Sequence, residues 1–363
     1  MRFITLACGG ALIAGCVASS SGAGGGAGDG TTGADGTDSS QTGTDTSGGD
    51  NGGDTGMGSD TSAVTATTGP YFTTAMFFNT DVSTVAKAAN SDQIIAALAA
   101  AGGWGNANTM QVDFDIDVLT ATATTPKQAF TATEDWYGPD CDSGTMPVPA
   151  GGNVEGESGY ACTNDGDCHL IVNDPTNHKL YEMWRANITD QFYGGCLATW
   201  TTNKTYARPL RGLECTSADA AGFPISPLLF TADEVKAGAI NHAIRFILPN
   251  NRIKPGFVAP ATHSTSTSGT GNLPYYGVHL RLRADYPIAS LPAGARVVAR
   301  AMQKYGMYQA DGGNIALTAQ SDRHTTAKWA GLLNPRDLAA LKVTDFQVID
   351  HGAPTTGDDC ARQ

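Results

Sequence analysis

The sequence predicts an α+β fold, with an antiparallel β-sandwich-like core and a few peripheral helices. Three observations carry this expectation. Short stretches alternate apolar and polar residues along much of the chain after residue 109. Helical signals are few and stand at the margins of those stretches. Strands and helices do not alternate regularly, which disfavours a doubly wound sheet.

Taken in order, Ser91 can cap a helix over 92–101 that ends at the pair Gly102 and Gly103. Residues 110–117 read as a strand, with Met110, Val112, Phe114 and Ile116 on one face and Gln111, Asp113, Asp115 and Asp117 on the other. Further strands are read at 168–172 and 179–185. Thr231 and Glu234 have the spacing of a capping box, for a short helix ending at Gly238. Along 240–248, Ile240, His242, Ile244, Phe246 and Leu248 share a face. Along 278–285, Val278, Leu280 and Leu282 oppose His279, Arg281, Arg283 and Asp285. Residues 293–305 form a helix stopped by Gly306, Asn334 can cap a helix over 335–341, and 343–349 is the last strand.

The amino-terminal part differs in kind. Met1 and Arg2 precede a mostly apolar run over 3–14, which has signal-peptide length and about half of what a bilayer requires. Leu12, Ile13, Ala14, Gly15 and Cys16 follow. Together these resemble the lipobox of bacterial lipoproteins. The resemblance implies cleavage after residue 15, diacylglycerol on the Cys16 thiol and acylation of the new amino terminus. Several acyl chains meet the two-signal requirement for stable anchoring. Val17, where an Asp retains enterobacterial lipoproteins at the inner membrane, leans the implied address towards the outer membrane, with the folded part facing periplasm or exterior. An ordinary signal peptide with a chance cysteine is the competing reading.

Between residues 17 and 68 the chain is almost all Gly, Ser, Thr, Ala and Asp, without an aromatic residue, Lys or Arg. Such a segment cannot offset its ordering entropy, so 16–68 is expected to be a disordered tether spanning about 40 Å. The expected organisation is thus a signal peptide (1–15), a tether (16–68) and one globular domain (69–363), with lobes 69–205 and 206–363 as a subdivision. Seven Asp of the tether carry much of the formal net charge of −13. The folded part is only mildly acidic and has no basic run, which disfavours nucleic-acid binding.

Cys141, Cys162, Cys168, Cys196, Cys215 and Cys360 lie in the folded part. An even count in an exported chain suggests disulfides, with fifteen pairings open. Loop length favours Cys162 with Cys168 and Cys196 with Cys215, leaving Cys141 with Cys360. The absence of C-x-x-C disfavours a metal–thiolate site. No HExxH, G-x-S-x-G or P-loop is present either.

The run Thr216, Ser217, Ala218, Asp219 to Gly222, with Asp233, Glu234, the segment 240–246 and the later 280–283 and 304–307, resembles a family of secreted soil-bacterial proteins that often carry carbohydrate-associated modules. The resemblance covers roughly residues 150–350. It implies an extracellular, carbohydrate-rich setting and assigns no catalytic residue.

Candidate residues therefore rest on local chemistry. Asp219 lies in a Gly- and Pro-bounded loop, as a site carboxylate or as an Asp bonding its own backbone. Glu182, near His169 and Asp174, suits one member of a glycosidase carboxylate pair. His242 reads as a core histidine or a catalytic one, and Arg245 points to the opposite face. His279, Arg281 and Arg283 form a cationic row at about 7 Å pitch. With Arg245 and Tyr276, that row suits an anionic polysaccharide, or it pairs with Asp113, Asp115 and Asp117 as a salt ladder. Asp165 and Asp167 offer oxygen ligands for calcium, although a turn beside a disulfide explains them equally, and no other metal or cofactor is expected.

The expected function is a lipid-anchored envelope protein that binds or degrades extracellular polysaccharide, as a glycoside hydrolase or polysaccharide lyase if catalytic. A non-catalytic surface adhesion or structural lipoprotein is the alternative. Oligomeric state is open.

Overall fold

Two mixed sheets organise the chain. The computed structural model describes residues 68–363 other than 164, 165 and 358. The expected signal peptide, Cys16 and nearly all of the expected tether lie outside the described residues. The described residues fall in one compact unit.

Ten strands build these sheets: β1 (Val112–Ile116), β2 (Val118–Thr120), β3 (Leu170–Asp174), β4 (Lys179–Trp184), β5 (Cys196–Thr201), β6 (Ile244–Leu248), β7 (His279–Leu282), β8 (Met307–Gly312), β9 (Leu317–Gln320) and β10 (Phe346–Ile349). The larger sheet runs β1-β9-β6-β8-β7-β10 and the smaller β5-β4-β3-β2. The fold is α+β with a β-rich core and few helices. Pairing is mixed, since β1–β9, β6–β8 and β2–β3 run parallel while β4–β5, β3–β4 and β7–β10 run antiparallel.

Helices flank the larger sheet: α1 (Ser91–Ala100) packs on β10 and α3 (Ala293–Lys304) on β7, with α2 (Ala232–Ala237) against α3. The α2 start has the expected capping box, with Thr231 accepting from Glu234 N and Glu234 from Thr231 N. Beyond α3, Gly306 has φ 74°, and a Cβ there would come within 2.3 Å of His279 Nε2, so only glycine fits this stop. The helix expected over 335–341 is absent. Its place is taken by consecutive turns, although the Asn334 amide and side chain bond Asp337 as they would at a helix start.

Two apolar clusters follow the two sheets. The larger contains Trp104, Phe230, Phe246, Val298 and Met302. The smaller, around β3 and β4, contains Met146, Val172, Met183 and Phe192.

Among the described residues three disulfides are present: Cys141–Cys196, Cys162–Cys168 and Cys215–Cys360. The local pair is as expected, and the other two correct the loop-length reading. The Asp142 amide donates to Leu197 O at 2.7 Å and sets Cys141 beside Cys196. Gly212 and Leu213 pair with Arg362 and Ala361, which sets Cys215 beside Cys360. Long-range pairing decided the partners, not the shortest loop.

Candidate functional site

The loop between Cys215 and Phe223 is locked on every side. Its first residue is held by the disulfide to Cys360, and Thr262 Oγ1 donates to Cys215 O at 2.7 Å. Gly222 takes φ 77° where a Cβ would strike Thr262 Oγ1. Ser217 Oγ accepts from Asp219 N at 3.0 Å and donates to Phe223 O at 2.6 Å, so this hydroxyl is committed to the loop. The expected self-bonding turn thus belongs to Ser217, and the Asp219 side chain is released for another partner.

That partner is Arg245 on β6. Asp219 Oδ1 accepts from Arg245 Nε at 3.1 Å and Nη2 at 2.8 Å, while Nη1 donates to Thr318 Oγ1 at 2.8 Å. Arg245 Nη2 also lies 3.2 Å from Asp311 Oδ2, at the end of β8. Asp219 is fully buried, and its Oδ2 has no hydrogen-bond partner among the described residues. Burial pushes its carboxyl up, and Arg245 opposes the rise. Asp311 is 31% exposed and holds Gly312 N at 2.7 Å. Burial, with Asp219 adding to it against Arg245, pushes Asp311 up to about 7.

Asp219 and Asp311 line a cavity of about 170 Å³, with Ser217, Asp167, Trp184, Tyr137, His263 and Thr265 around them. Trp184 Nε1 donates to Asp167 Oδ1 at 2.6 Å, and the Tyr137 ring lies 6.0 Å from that of Trp184. Behind the loop, His169 Nδ1 meets Glu155 Oε2 at 2.6 Å and its Nε2 meets Ala218 O at 3.1 Å. Burial opposes the charged imidazole, but Glu155 outweighs it and raises His169 to about 9. A charged His169 donates through both nitrogens, so it supports the loop from below.

The other expected catalytic residues do not reach this cavity. Glu182 is fully buried and saturated: Oε1 accepts from Ser226 N and Oγ at 2.8 and 2.7 Å, and Oε2 from Ile225 N and Trp200 Nε1 at 3.0 and 3.1 Å. It ties the smaller sheet to the turn at 225–228. His242 spends its nitrogens on Ala243 O at 2.8 Å and Glu234 Oε1 at 3.2 Å, as a core histidine would.

The cationic row is also corrected. All four residues of β7 are buried, because the strand is interior to its sheet and covered on both faces. Arg281 donates to Val82 O and Val85 O and, at 2.9 Å, to Gln347 Oε1. Arg283 Nε lies 3.2 Å from its neighbour Asp285. Neither pairs with β1, from which three strands separate β7, about 19 Å at ordinary strand spacing. Tyr276 is buried with its hydroxyl 2.7 Å from Thr265 Oγ1.

His279 stacks on Tyr308 at 4.0 Å and contributes to a chain of bonds. Its Nε2 donates to Tyr305 O at 2.8 Å, leaving Nδ1 to accept from His351 Nε2 at 2.9 Å. His351 Nδ1 in turn accepts from Arg208 Nη2 at 3.2 Å. Burial, then His351, Arg281 and Arg208, hold His279 down to about 3, and burial and Arg208 hold His351 down to about 4.

Asp165 lies outside the described residues, while Asp167 is engaged by Trp184. Among the described residues no cluster of three or more His, Cys, Asp or Glu side chains is placed to hold a metal. Nor does any described helix have the length and apolar character to cross a membrane.

Asp311, Trp184, Tyr137 and His263 escaped the sequence reading. Asp311 precedes Gly312 and Gly313 and has the look of a turn residue. Only its place at the end of a strand parallel to that of Arg245 gives it away. No family model, curated protein or solved structure matches the chain.

Proposed function

We propose that the chain is a lipid-anchored envelope protein whose folded part binds extracellular polysaccharide, with one sugar unit entering the Asp219 cavity. The observation that carries this reading is Asp219, a buried carboxyl on the loop lining a cavity edged by Trp184 and Tyr137, whose Oδ2 has no hydrogen-bond partner among the described residues. Buried polar atoms are nearly always bonded, and an unpaired acceptor beside a cavity calls for a donor. A sugar hydroxyl supplies that donor, and the aromatic faces suit the C–H face of a sugar ring. The volume, well below the roughly 300 Å³ and more of a drug-sized site, fits a single ring. Anchoring rests on residues 12–16 and the tether composition.

Hydrolysis is a second reading, and Asp311 favours it. A carboxyl pushed up to about 7 keeps a share of its proton at neutral pH and can give it to a glycosidic oxygen. Asp219 is the second carboxyl of such a pair. Both sit on one guanidinium nitrogen, at 2.8 and 3.2 Å. Their bound oxygens are therefore no further apart than these distances laid end to end, a spacing nearer to retaining than to inverting glycosidases.

A polysaccharide panel tests both readings, scored for retention and for new reducing ends. Binding that disappears in Asp219→Asn supports the site. Reducing ends that vanish in Asp311→Asn, with binding kept, support hydrolysis. Binding without new ends leaves an adhesion protein, and no binding to any polysaccharide overturns the proposal.

A further inference from the structure

A second cavity, of about 300 Å³, lies beside the segment Ala361–Arg362 and is lined by Lys204, Tyr206, Arg211 and Arg362 with Thr199 and Thr205. Three cations thus border it. The carboxylate that neutralises two of them is Asp142, which lies 3.1 Å from Arg211 Nη2 and accepts from Arg362 Nη2 and, at 2.7 Å, from Thr199 N. Its oxygens are fully engaged. No other carboxylate lies within ion-pair distance of either arginine among the described residues, and Lys204 has none at all. The Lys204 ammonium instead stands 4.7 Å from the Tyr206 ring.

This arrangement is built rather than incidental. Arg211 is buried, and it donates to Thr216 O at 3.2 Å and Asp140 O at 2.9 Å. Arg362 Nη1 donates to Pro139 O and Asp140 O at 3.1 and 2.9 Å. Pairing of Gly212–Leu213 with Ala361–Arg362, together with the Cys215–Cys360 bond, holds one arginine beside the other. Burial, and then the like charge of Arg362 against Asp142, weighs on the Arg211 guanidinium and leaves it lowered. An added anion relieves that repulsion.

We propose that this cavity is a binding site for a small oxyanion, a carboxylate, sulfate or phosphate group, held by Lys204, Arg211 and Arg362. The reading is independent of the Asp219 cavity, which is walled by carboxylates and suits a neutral ligand. Two fixed guanidinium charges beside an ammonium without a carboxylate supply the positive field an oxyanion requires, and the ammonium is the donor least engaged elsewhere.

The test is calorimetric titration of the full chain with sulfate, phosphate, glucuronate and, as a neutral control, glucose, at constant ionic strength set with chloride. At least one oxyanion is expected to bind saturably and glucose is not expected to compete for the site. The double variant Lys204→Gln with Arg362→Gln is expected to bind about tenfold more weakly or worse. Arg362 also secures the last strand, so Lys204→Gln alone is the second variant, its side chain having only the Tyr206 ring to lose. Tighter binding of glucuronate assigns the site to an acidic sugar, and tighter sulfate or phosphate assigns it to a free inorganic ion. The proposal is overturned by no saturable binding of any of the three, or by unchanged affinity in Lys204→Gln.

Discussion

Replacing Arg245 by Met removes the guanidinium while keeping most of the stem. Asp219, fully buried, then loses both donors to Oδ1 while Oδ2 already lacks one. Thr318 Oγ1 and Asp311 lose a donor as well. Removing one partner of a buried ion pair costs about 3–5 kcal/mol, and that is the expected loss in guanidinium chloride unfolding at pH 7. The loss depends on pH in a definite direction. Without Arg245 the folded-state Asp219 carboxyl rises further above its unfolded value of about 3.9. The folded variant keeps a proton that the unfolded chain releases, so the penalty grows as pH rises and is smaller at pH 5 than at pH 7. Adding Asp219→Asn removes the carboxyl that must stay protonated, so the double variant is expected to be more stable than Arg245→Met alone. A loss below about 1 kcal/mol, independent of pH and additive with Asp219→Asn, refutes the reasoning.

Three further outcomes are expected. His279 and His351 stay neutral in the folded chain, at about 3 and about 4, while the unfolded chain takes up protons through about 6.5. Stability is therefore full above about 6.5 and is lost as pH falls towards 4, and His279→Phe should flatten that limb of a stability–pH curve; an unchanged slope speaks against the relay. Peptide mapping of unreduced protein should recover the links Cys141–Cys196, Cys162–Cys168 and Cys215–Cys360, and a Cys196–Cys215 peptide would contradict the register described. Cys16→Ser should abolish acylation and release the protein from membranes. Unchanged partition in detergent phase separation argues against the lipobox.

Elements with strong local chemistry were legible in the sequence. The Thr231–Glu234 box and the Gly306 stop appear where side-chain spacing and backbone freedom put them. Strand cores were readable too, but their ends were not: 240–243 carries alternation yet lies before β6, because Ala243 N is taken by Phe78 O. The cationic face of β7 departs from the expectation for a specific reason. Alternation implies one wet face, whereas an interior strand with cover on both sides buries charge that it can satisfy with backbone carbonyls, as Arg281 does at Val82 and Val85. Asp219 was legible as a residue on a constrained loop, but Asp311 was not. Their meeting depends on the parallel register of β6 and β8, in which Arg245 stands opposite Tyr308. No periodicity in the sequence reports that register.

The central claim is that the orphan acceptor of Asp219 receives a sugar hydroxyl. Its most direct measurement is calorimetric titration of a neutral oligosaccharide selected from the panel into the wild type and into Asp219→Asn, at matched pH and with unfolding curves confirming that both are folded. The account predicts saturable binding to the wild type and a loss of about tenfold or more in the variant, since a hydrogen bond to a buried acceptor is removed. Equal affinity in the two folded proteins contradicts it.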